Sequence, residues 1–230
     1  MANVGFRVFK KVNRTPRELV EKFRGIPVAN IGDVVNRIAC LDARIRPLNK
    51  VPLLGTAITV RVRSGDNAMM HYALDLAEPG DVIVVEGQGD LANSLAGENM
   101  ANWSIRRGHA GWVIDGALRD VEALAGMPIP FYAAGAQPNG PYKNGPGEVN
   151  VPISCGGVIV NPGDLIAGDA DGVIVIPRQD AEAVLQKALK KQEQEAASAK
   201  AIQDGSWDRS AYTEAALSKM GCEFIDDYYR

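Results

Sequence analysis

Apolar positions along this chain alternate between helical and extended spacing, and the switches predict its elements. Thr15-Pro16-Arg17-Glu18 has the form of a helix start, with Thr as cap, Pro in the first turn and Glu three residues after the cap. That helix is expected to run through Phe23, where Gly25, Pro27 and Asn30 break it, and a second short helix is expected around Asp33 to Ile38. Gly55 to Val62, GTAITVRV, alternates and is rich in Thr and Val, which predicts a strand. From Asn67 to Leu76 the spacing is helical, with Met69, Met70, Tyr72, Ala73 and Leu76 available to one broad apolar face. Pro79-Gly80-Asp81 turns the chain into VIVVEG, a buried strand expected to end at Glu86, with a loop from Gly87 to Ala96.

The second half repeats the scheme. A helix opens at Glu98, with Ala101, Ser104, Ile105 and Gly108 at helical spacing, and the turn at Arg107 to Gly111 leads to the apolar run Trp112 to Ile114. Asp115-Gly116 is expected to end that strand, a helical turn follows at Val121 to Ala125, and Phe131-Tyr132-Ala133 forms another strand. The Gly/Pro-rich stretch from Gln137 to Glu148 reads as an exposed loop and a candidate subunit contact. VNVPISCGGVIVNPGDLIAGDADGVIVIP supplies several short strands with turns at Pro162-Gly163-Asp164 and Asp171-Gly172. A long helix spans about Arg178 to Ile202, apolar along one stripe in its first half and polar in KKQEQEAASAK, and a further amphipathic segment lies around Tyr212 to Met220.

Composition narrows the class. The 230 residues suit one domain, with a core of about 15–205 and a C-terminal extension at 206–230. Hydrophobic residues at 46% and charged residues at 23% argue against disorder, and a net charge of -3 without a basic block disfavours nucleic acid as a partner. No run approaches a membrane span and the N-terminal stretch lacks a secretory core, so the expectation is a cytoplasmic protein without membrane partners. Cys40, Cys155 and Cys222 are odd in number and far apart, which fits reduced, packed thiols; Cys155 has no evident basic partner that would make it a nucleophile. The loop at Gly87 to Ala96 has neither a P-loop lysine nor a dinucleotide spacing, and Asp164, Asp169 and Asp171 lack the ligand order of a calcium loop.

The densest chemistry lies between Gly97 and Asp120, GENMANWSIRRGHAGWVIDGALRD. An acid at a helix start and Arg119-Asp120 beyond a strand would meet at the carboxyl edge of an α/β sheet, where helix N-termini favour anions. Alone, Arg119-Asp120 reads as an ion pair or helix cap, and Glu98 as an acid in a first helical turn. His71 reads as a half-buried helix residue, His109 as a turn residue near the site, and Asp115 as a turn residue at the strand end. Asp90, in the facing loop, is a candidate to touch water at the site.

These segments, with GTAITVR, EPGDVIVVEG and SCGGVIVNPGDLIAGDADGVIVIPR in the same order, resemble a family of two kinds of member. It holds the 4-hydroxy-4-methyl-2-oxoglutarate/4-carboxy-4-hydroxy-2-oxoadipate aldolases and the RraA-type regulators of ribonuclease E. The resemblance spans about Thr15 to Gly205, and its most specific piece is the acid Glu98 followed by Arg119-Asp120.

The resemblance implies an α/β/β/α sandwich similar to the swivelling phosphohistidine domain, here with a C-terminal helical extension, assembled as a homotrimer or a hexamer built as a dimer of trimers. It implies a divalent-metal-dependent lyase, with Mg2+ or Mn2+, that cleaves a 4-hydroxy-2-oxo acid through a pyruvate enolate and decarboxylates oxaloacetate as a side activity. By position, Asp120 is the direct metal ligand and Arg119 holds the 2-oxo acid substrate and stabilises its enolate. Gly97, Asn99 and Met100 bind the substrate carboxylate at the helix start. Glu98 acts through water, as does Glu195 of the partner subunit, with Glu193 of the partner subunit as the alternative. The aldolases carry aspartate where this chain has Glu98. The other kind of member implies a regulator that binds a ribonuclease or other protein without chemistry of its own. No glycine-rich strand-to-helix loop suited to S-adenosylmethionine is present.

Overall fold

A short edge strand, β1 (Phe6–Val8), and two short helices, α1 (Arg17–Glu21) and α2 (Val28–Val34), come first in the computed structural model, which describes residues 3–229. After β2 (Arg46–Pro47), the chain enters a repeating unit of strand and helix: β3 (Leu53–Val62), α3 (Ala68–Leu76), β4 (Asp81–Ala96), α4 (Glu98–Arg107), β5 (Gly111–Leu118), α5 (Val121–Ala125) and β6 (Phe131–Ala136). Strands β3, β4, β5 and β6 are parallel neighbours in that order. Short strands follow: β7 (Gly147–Val149), β8 (Ile153–Cys155), β9 (Val158–Val160), β10 (Leu165–Gly168) and β11 (Val173–Ile176). The helices α6 (Ala181–Gln203) and α7 (Glu214–Lys219) end the chain. The result is a mixed α/β fold around a central sheet.

Period-two burial explains the layering. Ile58, Val60, Ile83, Val85, Trp112 and Ile114 pack with Met70, Ala73 and Leu74 of α3, Ala101 of α4 and Leu124 of α5. Their alternates Ala57, Val82, Val84 and Val113 face the other way, onto Ile153, Val160, Ile166, Val173 and Val175. The alternates of that third layer, Leu165, Ile174 and Ile176, pack with Phe23 in the turn after α1, Ile31 of α2 and Ala181 and Leu185 of α6. Strands buried on both faces read as continuous Val/Ile runs, as these do. Each Val or Ile fully removed from water contributes about 1.5–3 kcal/mol.

Several expectations need correction. Thr15 does not cap α1; its hydroxyl donates to the Gly163 carbonyl at 2.9 Å, and the N-cap position falls on Pro16. The second helix begins at Val28 rather than Asp33, and Asn30 lies inside it. The segment Gly87 to Ala96 is a continuation of β4, which pairs with β5 through register shifts at Asp90 and Ser94. Such shifts let a polar stretch with positive φ at Gln88 and Gly89 remain in a ladder. β5 runs on past Asp115-Gly116 to Leu118. Asp115 is buried, accepting from Arg44 Nη2 at 2.9 Å and the Gly156 N–H at 3.0 Å, so it ties two segments and is no turn residue.

By internal contacts the chain divides into two units, Met1–Leu189 and Lys190–Arg230. Within the second, Thr213 caps α7 by accepting from the Ala216 N–H, and the Arg209 guanidinium lies over the Trp207 and Tyr212 rings. No helix among the described residues is long and apolar enough to cross a membrane.

Candidate active site

The parallel order of β4 and β5 brings two chain crossings to the same edge of the sheet. At the first, β4 ends at Ala96, Gly97 is extended with φ -159°, and α4 begins at Glu98. Helix α4 is stopped by Gly108 in the left-handed region and carries Arg106 and Arg107 in its last turn, where cations complement the helix dipole. At the second crossing, the Arg119 N–H donates to the Ala96 carbonyl at 3.0 Å, prolonging the β4–β5 ladder to the site.

Asp120 is the pivot. It occupies the left-handed region, φ 56° and ψ 35°, at the N-cap of α5, yet its side chain caps nothing in that helix. Its Oδ2 instead accepts from the Glu98 N–H at 3.0 Å, and Arg119 Nε lies 3.5 Å from the same oxygen. Oδ1 has no partner among the described residues. A non-glycine residue held in this region costs of order 1–3 kcal/mol and marks a site where the surroundings fix the conformation. Gly97 makes room for the arrangement: a Cβ there would collide with the Asp120 carboxylate and stand 2.9 Å from Arg119 Cγ.

A cleft of about 330 Å³ opens beside these groups. One wall is the start of α4, from Gly97, Asn99 and Met100, and Arg119 stands next to it. The Asn99 and Met100 N–H groups, in the first helical turn, find no acceptor among the described residues. The opposite wall comes from Asn67 and His71 on and before α3, and from Gly140, Pro141 and Lys143. Asn67 Nδ2 donates to the Leu95 carbonyl at 2.8 Å, leaving its buried Oδ1 unpartnered. Partial burial, reinforced by the charge of Lys143 and opposed by Asp75, pushes the His71 pKa below its ordinary value, so the imidazole is neutral at pH 7.

Gly97, Glu98, Asn99, Met100, Arg119 and Asp120 thus meet at one edge. The Glu98 side chain is exposed and makes no hydrogen bond or ion pair among the described residues. Glu195 belongs to the second unit, where it pairs with Lys191 at 2.7 Å. His109 is distant from this edge; it is buried beyond the opposite end of α4, its Nδ1 3.1 Å from Ser104 Oγ. Asp90 is occupied by Ser64 Oγ at 2.7 Å and the Ala92 N–H at 2.8 Å. Burial pushes the Cys155 thiol up, with Asp115 adding to it, which removes it as a nucleophile. The wall formed by Gly140, Pro141 and Lys143 had no signal in the sequence, because nothing local ties that polar stretch to β4 or α3.

No group of three or more His, Cys, Asp or Glu that could cage a metal occurs among the described residues. A hard divalent cation here would therefore rest on one direct carboxylate, Asp120, with water completing its shell, a mode magnesium accepts. The free Oδ1, the space kept by Gly97 and the purely oxygen donor set fit such an ion.

Residues 28–175 match the RraA-like family, described as Aldolase/RraA. A Halalkalibacterium halodurans protein, provisionally named 4-hydroxy-4-methyl-2-oxoglutarate aldolase, is 43% identical over 201 residues, covering 87% of this chain and 96% of its own. A Thermus thermophilus protein named 4-hydroxy-4-methyl-2-oxoglutarate aldolase is 40% identical over 123 residues, 54% of this chain and 74% of its own. Among solved structures, one described as the RNA-processing inhibitor RraA from Thermus thermophilus superposes with a TM-score of 0.61 at 34% identity, covering 66% of this chain and 92% of its own.

Proposed function

This chain belongs to the RraA-like, Aldolase/RraA family, and from that premise we propose that it is a divalent-metal-dependent lyase cleaving a 4-hydroxy-2-oxo acid to pyruvate. The observation that carries the reading is Asp120, held in a costly backbone conformation with its carboxylate turned away from its own helix and toward Gly97 and Glu98.

In this reading Asp120 holds Mg2+ or Mn2+, which, when bound, supplies positive charge to the oxygen on which electron density develops. The Asn99 and Met100 N–H groups, beside Gly97, hold the C1 carboxylate, as helix N-termini hold anions. Arg119 faces the C2 oxygen. Cleavage breaks the C3–C4 bond: the C4 hydroxyl loses its proton, C4 becomes a carbonyl, and the bonding pair passes into an enolate across C2–C3. Arg119 stabilises that charge within the cleft, and protonation at C3 yields pyruvate. Glu98, whose carboxylate is unengaged, acts through water, holding the water molecule by which the proton is taken up and returned. The same enolate accounts for decarboxylation of oxaloacetate. The relatives' names suggest 4-hydroxy-4-methyl-2-oxoglutarate as substrate.

The proposal extends to a homotrimer or dimer of trimers, with Glu195 of the partner subunit adding an outer acid, and to a sandwich of the swivelling phosphohistidine type, supported by the order of the three apolar clusters. A regulator without chemistry is the second reading, favoured by the description of the Thermus RraA structure. Enolisation separates the two. Pyruvate incubated in D2O with the protein and Mg2+ loses its methyl proton signal if the enolate site works, and retains it with Asp120→Ala; retention with the intact protein rejects the lyase.

A further inference from the structure

We infer that Ser104 and His109 form a proton-sensitive clamp that fixes the far end of α4 against β5, which makes both of them positioning residues for the site at the start of that helix. This deepens the lyase reading and rests on it only for what the site does, since the clamp concerns how α4 is held.

Helix α4 is joined to β5 at both ends. At the site, the Glu98 N–H donates to Asp120, beyond the end of β5, at 3.0 Å. At the other end Trp112 Nε1, near the start of β5, donates to Ser104 Oγ at 2.8 Å. Ser104 lies four residues after Met100, on the same face of α4 and one turn from the N–H group that holds the substrate carboxylate in the proposed mechanism. Ser104, His109 and Trp112 are all buried, and the His109 N–H closes back on the Ser104 carbonyl at 3.1 Å. In a helix of ten residues held at two points, a shift at one point is felt at the other.

Proton positions in the clamp follow from counting donors. An indole N–H only donates, so Ser104 Oγ accepts from Trp112 and sends its own proton to His109 Nδ1, 3.1 Å away. Nδ1 can accept only in the neutral imidazole, with the proton on Nε2, a buried atom that makes no hydrogen bond among the described residues. Protonation of the ring places a hydrogen on Nδ1 as well. Ser104 Oγ then faces two donors and loses the acceptor for its own proton, in a buried place where an unmade bond is costly. The charged groups around the ring come from three elements: Arg107 from α4, Asp75 from α3, and Asp81 from the start of β4, itself paired with Arg14 at 2.9 Å. Burial, reinforced by Arg107, outweighs the Ala77 carbonyl and the two carboxylates, so the ring is neutral at pH 7 and the clamp is made there. It opens as the pH falls through a value below the ordinary 6.5.

The test compares the intact wild type with His109→Asn, whose amide oxygen keeps an acceptor for the Ser104 hydroxyl without titrating, and with His109→Ala, which keeps none. Amide hydrogen exchange of the peptide covering 98–107, corrected for the intrinsic rate at each pH, is expected to show at least ~5-fold loss of protection in wild type between pH 7 and 5.5 and none in His109→Asn. For pyruvate formation, kcat/KM at pH 7 should fall about 10-fold in His109→Ala and stay within about twofold in His109→Asn, which should also shorten the acid limb of the wild-type profile. His71 titrates alike in every variant, so the difference between wild type and His109→Asn isolates the clamp. Equal loss of protection in those two proteins, a loss spread evenly over the peptides of the sheet, superimposable acid limbs, or normal kcat/KM in His109→Ala overturns the inference. Failure of the lyase reading reads differently: no pyruvate forms from any variant, and the exchange difference between wild type and His109→Asn still decides the clamp.

Discussion

The backbone N–H of Glu98 donates to the carboxylate of Asp120 at 3.0 Å, joining the start of one helix to the end of the neighbouring strand. The bond uses the backbone of Glu98 and leaves its side chain unengaged, so the acid at this position contributes to the site in two separable ways.

Gly97 is the residue on which that junction depends. Its φ of -159° is open to any residue, so the requirement is spatial: an added Cβ meets the Asp120 carboxylate and Arg119. Gly97→Ala is expected to lower kcat/KM by about 100-fold, the cost of a displacement near 1 Å in a reacting group. Thermal unfolding should change by only a few degrees, since both displaced groups are roughly half exposed. Near-normal kcat/KM in Gly97→Ala contradicts this placement.

Asp66 should act on the cleft from beneath. Asp66→Ala leaves the Asn144 and Gly145 N–H groups without their acceptor, a loss of about 2 kcal/mol or more in urea unfolding. Because those bonds fix the segment around Lys143 on the cleft wall, KM should rise more than kcat falls. A drop in kcat alone would place the effect elsewhere.

Asp115 is structural in this account. Its carboxylate holds Arg44 and the Gly156 N–H, and Asp115→Ala should lower unfolding free energy by about 2 kcal/mol. Pyruvate-forming kcat should stay within twofold or so, since no Asp115 contact reaches the cleft walls. A large kcat loss in a folded variant would give Asp115 a part in the chemistry.

Acid should weaken the fold through His109. Burial holds its pKa below the ordinary 6.5, reinforced by Arg107 and opposed by the Ala77 carbonyl and by Asp81 and Asp75. The unfolded chain therefore binds a proton that the folded chain refuses in the window just below pH 6.5. The contribution of neutral His109 is complete above that value and is lost as pH falls toward the depressed folded value. Melting temperature measured from pH 7 to 5.5 should fall, and the slope should flatten in His109→Asn; an unchanged slope contradicts it.

Local pattern carried much of the fold. The run GTAITVRV and the helical spacing from Asn67 to Leu76 both became the elements they predict: β3 sends alternate residues into two apolar clusters, and α3 packs Met70, Ala73 and Leu74 into one of them. What escaped was settled by distant partners. Thr15 has the chemistry of a cap, but Gly163, 148 residues on, takes its hydroxyl. The polar run after Glu86 stays in the sheet only because β5 pairs with it through shifted register. At the site, the motif made Glu98, Arg119 and Asp120 legible as a set, while the facing wall depends on Asp66 reaching the backbone of Asn144 and Gly145, which no spacing along the chain reveals.

The most direct measurement is pyruvate release, coupled to lactate dehydrogenase, from 4-hydroxy-4-methyl-2-oxoglutarate and from oxaloacetate, with Mg2+, Mn2+ or excess EDTA, for wild type and Asp120→Ala. The account predicts metal-dependent turnover of both compounds by wild type, abolished by EDTA and by Asp120→Ala. Turnover of neither by folded wild type with metal supplied would contradict it.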